Sequence, residues 1–167
     1  HNDVVLQNRG CCDIGSGITE IAVLCLGDVA SSESLRIAGD EMDRSIVDLL
    51  RRKHRLRIGE QMAERIKIEI GSALPLESEL SFEVGGRDVV TGLPRKLTIS
   101  SDEGREALQE PVRAIVDQVE SVLERCREEL AADLVENGMV LAGGVAALRG
   151  LDRKLAQATG MPVRVAE

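Results

Sequence analysis

The sequence predicts an α/β protein, in which short strands and amphipathic helices enclose an aliphatic core. Three observations support this fold class. Glycine separates short apolar runs across residues 11–37, apolar residues recur at helical spacing in several later stretches, and polar and apolar residues alternate over residues 80–84. Alternation with a period of two is typical of strands, and a period near 3.6 is typical of helices. The middle of the chain therefore adds a small unit with its own strands to a larger α/β body.

Composition narrows the classes of protein to which the chain can belong. Of its 167 residues, 43% are hydrophobic, the net charge is −8 and Phe82 is the single aromatic side chain. Such a chain folds around an aliphatic core, and its acidity and lack of stacking side chains argue against nucleic acid as a partner. The four cysteines contain no C-x-x-C pair, which argues against zinc and fits a reducing, cytoplasmic compartment. No apolar run is long enough to span a bilayer.

The first third of the chain predicts three strands followed by a helix. Residues 11–14, 18–26 and 29–37 form an antiparallel meander with glycine at the bends. The helix opens at Gly39 and ends in a basic run at residues 51–55. Its buried face is expected to consist of four residues at helical spacing: Met42, Ile46, Leu49 and Leu50.

The middle third predicts a small α+β insertion at residues 56–100. A helix starts at Gly59 and ends near Gly71, and the alternating segment that contains Phe82 and Val84 follows as a strand. Further expected features of the insertion are a turn at Gly85-Gly86, a continuation of the sheet at Val89-Val90, and a closing strand at residues 97–99.

The last third predicts helices around one buried strand. The chain is expected to become helical from Ser101, with Pro111 in the first turn of the longer helix, where proline is tolerated. The apolar stripe of that longer helix continues to Leu130. Residues 139–142 read as a buried strand, and Gly143-Gly144 then turns directly into a helix. Residues 163–165 form the last strand.

Two glycine-rich turns are the strongest candidates for a binding site. The first turn, residues 15–17, follows Asp13, whose carboxylate suits Mg²⁺ held through water; the second turn, residues 143–146, follows the buried strand. Glycine allows backbone N–H groups to approach an anion closely, which favours a nucleotide held from two sides. An ordinary hairpin and tight helix–strand packing are the structural alternatives. Neither turn matches the Walker or dinucleotide patterns.

The residues of these turns resemble the second phosphate loop and the adenosine loop of the actin-like ATPases, and the MreB family of bacterial actins most closely. The resemblance runs from about residue 11 to the end of the chain, and residues 13–23 carry its first motif. Its most specific part is the segment from Ile58 to Ala73. Residues 38–43, 86–94 and 141–151 match as well. It covers the second of the two lobes of that fold, without the first lobe and its membrane anchor.

The resemblance implies an actin-like, ribonuclease H-like lobe. Residues 1–37 and 101–167 would form its core, a mixed sheet flanked by helices, and residues 38–100 the connecting helix and the insertion. It also implies ATP and Mg²⁺ as ligands. Asp13 would approach the metal through water, and the residues expected to contact the nucleotide are Gly15, Ser16, Gly17, Ala63, Glu64, Arg65, Ile66, Gly143, Gly144, Val145 and Ala146. By its spacing alone, Glu64 could instead be an exposed partner of Lys67.

The function that the resemblance implies is an ATP-binding cytoskeletal filament that determines rod shape. Its partners would be further copies of itself and proteins of cell-wall synthesis and membrane morphogenesis, in the cytoplasm beneath the membrane. Ile18 stands where the family carries a threonine implicated in hydrolysis, so this chain alone is not expected to be a competent ATPase. Ser16 and Val145 replace glycines of the family, and each is expected to crowd the site or to need a disfavoured backbone angle.

Two other functions remain open at this point. The chain could be an interaction module that no longer uses nucleotide, which an intact exposed face beside a damaged pocket would favour. It could also be another ATPase of the actin superfamily, such as a sugar kinase or a chaperone-type ATPase. The segment from Ile58 to Ala73 argues against the latter, because those relatives are not expected to share it.

Overall fold

The fold consists of two sheets and five helices around one continuous aliphatic core, as seen in a computed structural model that describes residues 7–166. The strands are β1 (Arg9–Ile14), β2 (Thr19–Cys25), β3 (Asp28–Leu35), β4 (Leu56–Arg57), β5 (Ser81–Asp88), β6 (Pro94–Ser100), β7 (Met139–Ala142) and β8 (Val163–Val165). The helices are α1 (Gly39–His54), α2 (Glu60–Ile70), α3 (Ser101–Glu124), α4 (Glu128–Asn137) and α5 (Leu151–Thr159).

The larger sheet is mixed and has the strand order β3-β2-β1-β7-β8. Strands β1, β2 and β3 are antiparallel neighbours, whereas β7 runs parallel to both β1 and β8. The predicted α/β class with a mixed sheet flanked by helices is therefore confirmed. Cys12 and Ile14 of β1 alternate with exposed Asp13, so one face of this strand is buried in the core and the carboxylate points away from it.

The smaller sheet has the order β4-β5-β6 and is antiparallel throughout. The predicted turn at Gly85-Gly86 is wrong, because both glycines lie inside β5. A Cβ on Gly86 would come within 3.0 Å of side-chain atoms of Leu56 and Ile58, so this glycine allows close approach of β4. The hairpin turns at residues 89–93 instead, which also corrects the strand expected at Val89-Val90. Asp88 Oδ1 accepts the N–H groups of Val90 and Thr91 there.

Helix α3 also differs from its prediction. The helix begins at Ser101 as predicted, but it continues unbroken through Pro111, which therefore lies inside it and not in its first turn. Ser100 and Glu103 form a capping box at this start. The helix ends at Glu124, before the expected end of the apolar stripe. The N–H groups of Arg125 and Cys126 bond to carbonyl groups three residues earlier, which tightens and ends the helix. Leu130 consequently lies on the separate helix α4.

Helices α1, α2 and α3 pack against one another and bury the predicted apolar stripes. Met42 and Leu50 of α1, Ile66 of α2 and Ile115 of α3 have no exposed surface. This packing fixes the start of α1 and one face of α2 close to the ends of β1 and β7. Within residues 7–166, none of the helices has both the length and the apolar character needed to cross a membrane.

Candidate functional site

The two glycine turns lie side by side, because β1 and β7 are parallel neighbours. Asp13 of β1 is paired with Ala142 of β7, so both strands end at the same edge of the sheet. The N–H of Val145 donates to the carbonyl of Ile14 at 3.2 Å and ties the second turn to the end of β1. Ligands of α/β proteins commonly bind at the carboxyl ends of parallel strands. The sheet thus brings together two segments that are far apart in the sequence.

The packing of the second turn against the end of β1 requires glycine at position 143. Its φ is +92°, and a Cβ there would lie 2.6 Å from Asp13 Oδ1 and 2.7 Å from the carbonyl carbon of Ile14. The next residue, Gly144, is exposed, and a Cβ on it would meet no atom within 4 Å. The second turn therefore combines one closely packed glycine with one that leaves room for a ligand.

The predicted helix start at Gly143-Gly144 is wrong. Residues 144–147 form turns, and α5 begins only at Leu151, after Gly150 with a φ of +77°. An anion at this turn would therefore meet individual backbone groups and not a helix N-terminus. Val145 and Ala146 are buried by the turn, which leaves Gly143 and Gly144 as its exposed predicted contacts.

The first turn is held by the start of α1. The N–H of Gly39 donates to Gly15 O at 3.0 Å, and the N–H of Asp40 donates to Ser16 O at 2.6 Å. The N–H of Gly15 is occupied as well, since it donates to Ile18 O. Ser16 and Gly17 are exposed, and no residue of the described chain accepts their N–H groups. These two amides are the donors of the first turn that remain for an anion.

The expected backbone strain at Ser16 and Val145 is absent. Leu26 and Arg55 are the non-glycine residues with positive φ in residues 7–166, and both lie away from the two turns. The structure thus corrects the expectation that the replacement of glycine at these two positions needs a disfavoured backbone angle. Ser16 is also exposed, so its side chain does not crowd the turn from within.

Helix α2 contributes one side of the site, but not through all of the predicted residues. Ala63 and Ile66 have no exposed surface, which places their side chains in the core. Glu64 is exposed. Arg65 is exposed too, but its guanidinium carbon lies 5.3 Å from the ring centre of Phe82, over β5. The structure therefore places Arg65 against Phe82, and contact of Ala63, Arg65 and Ile66 with nucleotide stays a prediction.

A cavity of about 250 Å³ separates α2 from the second turn. Of the predicted residues, Gly144 and Val145 line it. Its other lining residues are not among the predicted site residues, although Lys67 lies one turn beyond Ala63 on the same helix and could have been found from that spacing. These residues are Lys67, Ile68, Ala147, Leu148 and Arg149. The cavity has an apolar wall and two cationic groups, a combination suited to a small polar ligand.

Arg149 lines this cavity and connects it to the end of α2. Its guanidinium donates to Ile68 O at 3.0 Å and to Gly71 O at 3.4 Å, at the end of α2. The backbone contributes as well, because the N–H of Ala73 donates to Arg149 O at 2.7 Å. Arg149 thereby satisfies carbonyl groups that the helix end leaves free and holds the second turn against α2.

Asp13 fits the role of an outer ligand that binds Mg²⁺ through water, and not that of one member of a complete protein metal site. Its carboxylate is exposed at the end of β1, beside Gly143. In residues 7–166, no group of three or more histidine, cysteine, aspartate or glutamate side chains is placed to hold a metal. Mg²⁺ usually keeps several waters and binds through one or two carboxylates together with phosphate oxygens. One exposed carboxylate beside a turn with exposed backbone N–H groups fits that chemistry.

Comparison with known proteins identifies the family. The family model described as MreB/Mbl protein matches residues 6–167. The chain belongs to the MreB/Mbl family. It is 52% identical over 155 residues to the cell shape-determining protein MreB of Escherichia coli K12, a match that covers 93% of this chain and 45% of that protein. It is 44% identical to the cell shape-determining protein Mbl of Bacillus subtilis 168, over 93% of this chain and 46% of that protein.

Solved structures support the actin-like fold of this MreB/Mbl chain. MreB5 of Spiroplasma citri bound to AMPPNP superposes with a TM-score of 0.94 at 35% identity, over 99% of this chain and 50% of that protein. The same protein has also been solved bound to ADP. The MamK double helical filament matches with a TM-score of 0.78 at 22% identity, over 97% of this chain and 50% of the MamK chain. At this identity the match supports the fold alone. The chain spans about half the length of the relatives that it matches.

Proposed function

We propose that this chain forms one wall of the nucleotide-binding cleft of a filament-forming, cell shape-determining protein. The observation that carries the proposal is the placement of two glycine turns at the adjacent ends of β1 and β7, with open space at Gly144 and free N–H groups at Ser16 and Gly17. Nucleotide-bound structures of MreB5 support ATP as the ligand class.

The geometry suggests a separate role for each part of the site. The N–H groups of Ser16 and Gly17 would bind phosphate oxygens, and the cavity between α2 and the second turn would hold the adenosine. Mg²⁺ would neutralise phosphate charge, with Asp13 as an outer ligand through water. Glu64 is exposed on α2 and remains a proposed contact for the ribose or base, together with the backbone of residues 63–66.

Hydrolysis is not a function that the first turn supports. Ile18 offers no hydroxyl group, and its side chain is 47% exposed beside the turn. The neighbouring Thr19 cannot replace it, because its hydroxyl is buried and donates to Ile37 O at 2.7 Å. Orientation of an attacking water needs a positioned polar group. We therefore propose that this half of the cleft binds nucleotide without hydrolysing it.

Replacement of Gly17 by a negatively charged residue tests the proposed nucleotide site. Gly17 has open space for a side chain and no left-handed φ, so Gly17→Glu is expected to fold while placing a carboxylate at the proposed phosphate position. In NMR titrations with Mg-ATP, the parent chain is expected to show amide shifts at residues 15–17 and 143–146, with Kd of about 0.1–1 mM. Gly17→Glu should weaken these shifts at least about tenfold, because like charges repel.

Gly85→Glu is the matched control for this experiment. Gly85 also has open space and no left-handed φ, but it lies in β5 of the smaller sheet. It adds the same charge without touching the site and should bind Mg-ATP as the parent does. Absence of shifts in the parent at millimolar Mg-ATP, or equal binding by Gly17→Glu, would contradict the proposal.

We also propose that the chain self-associates through exposed apolar hairpin tips. Val90 and Leu93, in the turn between β5 and β6, are 70% and 64% exposed, and Leu26, in the turn between β2 and β3, is 70% exposed. Both tips are remote from the glycine turns. Contiguous exposed apolar patches mark contacts with another molecule, and Val90 and Leu93 lie together in one turn. The MamK double helical filament, whose subunit has the same fold, supports a second copy as that molecule.

Val90→Asp is expected to weaken this association. In sedimentation velocity experiments, the parent chain should sediment faster as its concentration rises, and Val90→Asp should shift that rise at least about tenfold higher in concentration. Val135→Asp provides the control, since Val135 is an exposed valine on α4, away from the tip. A parent that stays monomeric throughout, or an equal effect of both variants, would refute the proposal.

The domain division and cellular role remain proposals at the level of the family. Residues 1–37 and 101–167 would form the lobe core, and residues 38–100 the connecting helix and the small subdomain, which the separate β4-β5-β6 sheet supports. Of these, residues 1–6 and 167 lie outside the described residues. In the cell the filament would organise cell-wall synthesis in the cytoplasm beneath the membrane, together with proteins of wall synthesis and membrane morphogenesis.

A further inference from the structure

A buried ion pair lies beneath the two glycine turns. Lys67 Nζ of α2 is 2.8 Å from Asp43 Oδ1 of α1, and the two side chains are only 13% and 12% exposed. The contact is a close ion pair, in which the ammonium group lies within hydrogen-bonding distance of the carboxylate oxygen. Burial raises the pKa of Asp43, Lys67 opposes this shift, and the carboxylates of Glu64 and Asp40 add to it. Removal of Lys67 would leave the carboxylate buried without compensation.

The same ammonium group reaches the backbone that holds the first turn. Lys67 Nζ donates to Gly39 O at 3.3 Å, and the N–H of Gly39 in turn donates to Gly15 O at 3.0 Å. Lys67 also lines the cavity beside the second turn. One side chain on α2 therefore touches the cavity and, through a single residue of α1, the first turn.

Gly39 is closely packed, with little room for a side chain. A Cβ at Gly39 would lie 3.2 Å from Val145 Cγ2, 3.3 Å from Gly15 O and 3.4 Å from Lys67 Nζ. Both glycine turns and α2 thus converge on this residue. In such close packing, a displacement of one neighbour has to be accommodated by the others.

We propose that Lys67 is a positioning residue that couples the cavity wall to the first glycine turn through Gly39, with Asp43 as its anchor. It keeps the carbonyl of Gly39 in place, so that the N–H groups of Gly39 and Asp40 remain bonded to Gly15 and Ser16. The two exposed amides of the first turn then keep a fixed direction relative to the cavity. An effect of this coupling on nucleotide binding rests on the proposed function, whereas the coupling between Lys67, Gly39 and the first turn does not.

Hydrogen exchange without nucleotide tests the coupling directly. In the full 167-residue chain, the amides of Gly39 and Asp40 should exchange at least about tenfold faster in Lys67→Met than in the parent when followed by NMR. The amides of Val23 in β2 and Leu108 in α3 should exchange at the parent rate, which would show that the loss is local. Lys96→Met is the control, because Lys96 is an exposed lysine that pairs with Glu83 across the β5–β6 hairpin.

A second variant covers the case in which Lys67→Met does not fold. Asp43→Asn combined with Lys67→Met removes the orphaned charge as well as the link to Gly39, and should show the same local increase in exchange. Exchange at Gly39 and Asp40 within about threefold of the parent, in either folded variant, would overturn the inference. An equal increase in Lys96→Met would overturn it too. Increased exchange in a chain that shows no Mg-ATP shifts would support the coupling and count against the proposed nucleotide function.

Discussion

Gly143→Ala is expected to lower the free energy of unfolding by about 3 kcal/mol. Gly143 has a φ of +92°, a region in which alanine is strained. The added methyl group would also overlap Asp13 Oδ1, at 2.6 Å, and the backbone of Ile14. These backbone atoms lie at the end of β1 and cannot rotate away as a flexible side chain could. Urea denaturation of parent and variant, followed by circular dichroism, measures the loss.

Gly144→Ala is the control for this prediction, since it places the same methyl group one residue later. Its Cβ would meet no atom within 4 Å, and its φ is not left-handed, so the stability should change by less than about 0.5 kcal/mol. Equal stability of the two variants would mean that β1 and the second turn are not packed as closely as described. The contact between Gly143 and the end of β1, on which the described geometry of the candidate site depends, would then be absent.

Gly138→Ala is expected to cost more than about 3 kcal/mol or to prevent folding. Gly138 has φ +74° and ψ −156°, a region that is essentially restricted to glycine. A Cβ there would clash with the carbonyl oxygen of Pro162 and lie 3.0 Å from its carbonyl carbon. The same stretch pairs β7 with β8, since the N–H of Met139 donates to Pro162 O. Thermal and urea denaturation would measure the loss.

Gly160→Ala separates backbone strain from this clash. Gly160 also has φ +74°, but its ψ of 9° is the ordinary left-handed conformation, and a Cβ there would meet no atom within 4 Å. Its cost should be about 1 kcal/mol, the usual penalty for a left-handed alanine. If Gly138→Ala costs no more than Gly160→Ala, the close approach of Pro162 to the start of β7 is refuted.

Much of the fold follows from local patterns in the sequence. The stripe from Met42 to Leu50 predicted α1, and the alternation around Phe82 predicted β5, because burial on one face imposes a period that neighbouring residues reveal. The errors arose where a residue had two uses. Gly85-Gly86 is a pattern typical of a turn, but Gly86 allows the close approach of β4. Pro111 is a residue typical of a helix start, but it is buried inside α3.

The candidate site was predicted in part for the same reason. Gly15, Gly17, Gly143 and Gly144 could be recognised locally, because glycine marks turns and close approaches. Lys67 could not be recognised as a partner of Asp43 and Gly39, because their contact depends on how α1 packs against α2. The position of Arg65 over the ring of Phe82 was equally hidden, since it depends on where another element lies.

The sequence by itself determined the strand and helix periods, the aliphatic core and the family, all of which depend on side-chain types in local order. The tertiary structure alone decided which distant segments meet. The parallel pairing of β1 with β7 brings Gly143 against Asp13, and the packing of α2 on α1 brings Lys67 under Gly39. Such contacts depend on the relative placement of whole elements. That placement is fixed by burial of the common core and by backbone hydrogen bonds between strands, which no single segment specifies.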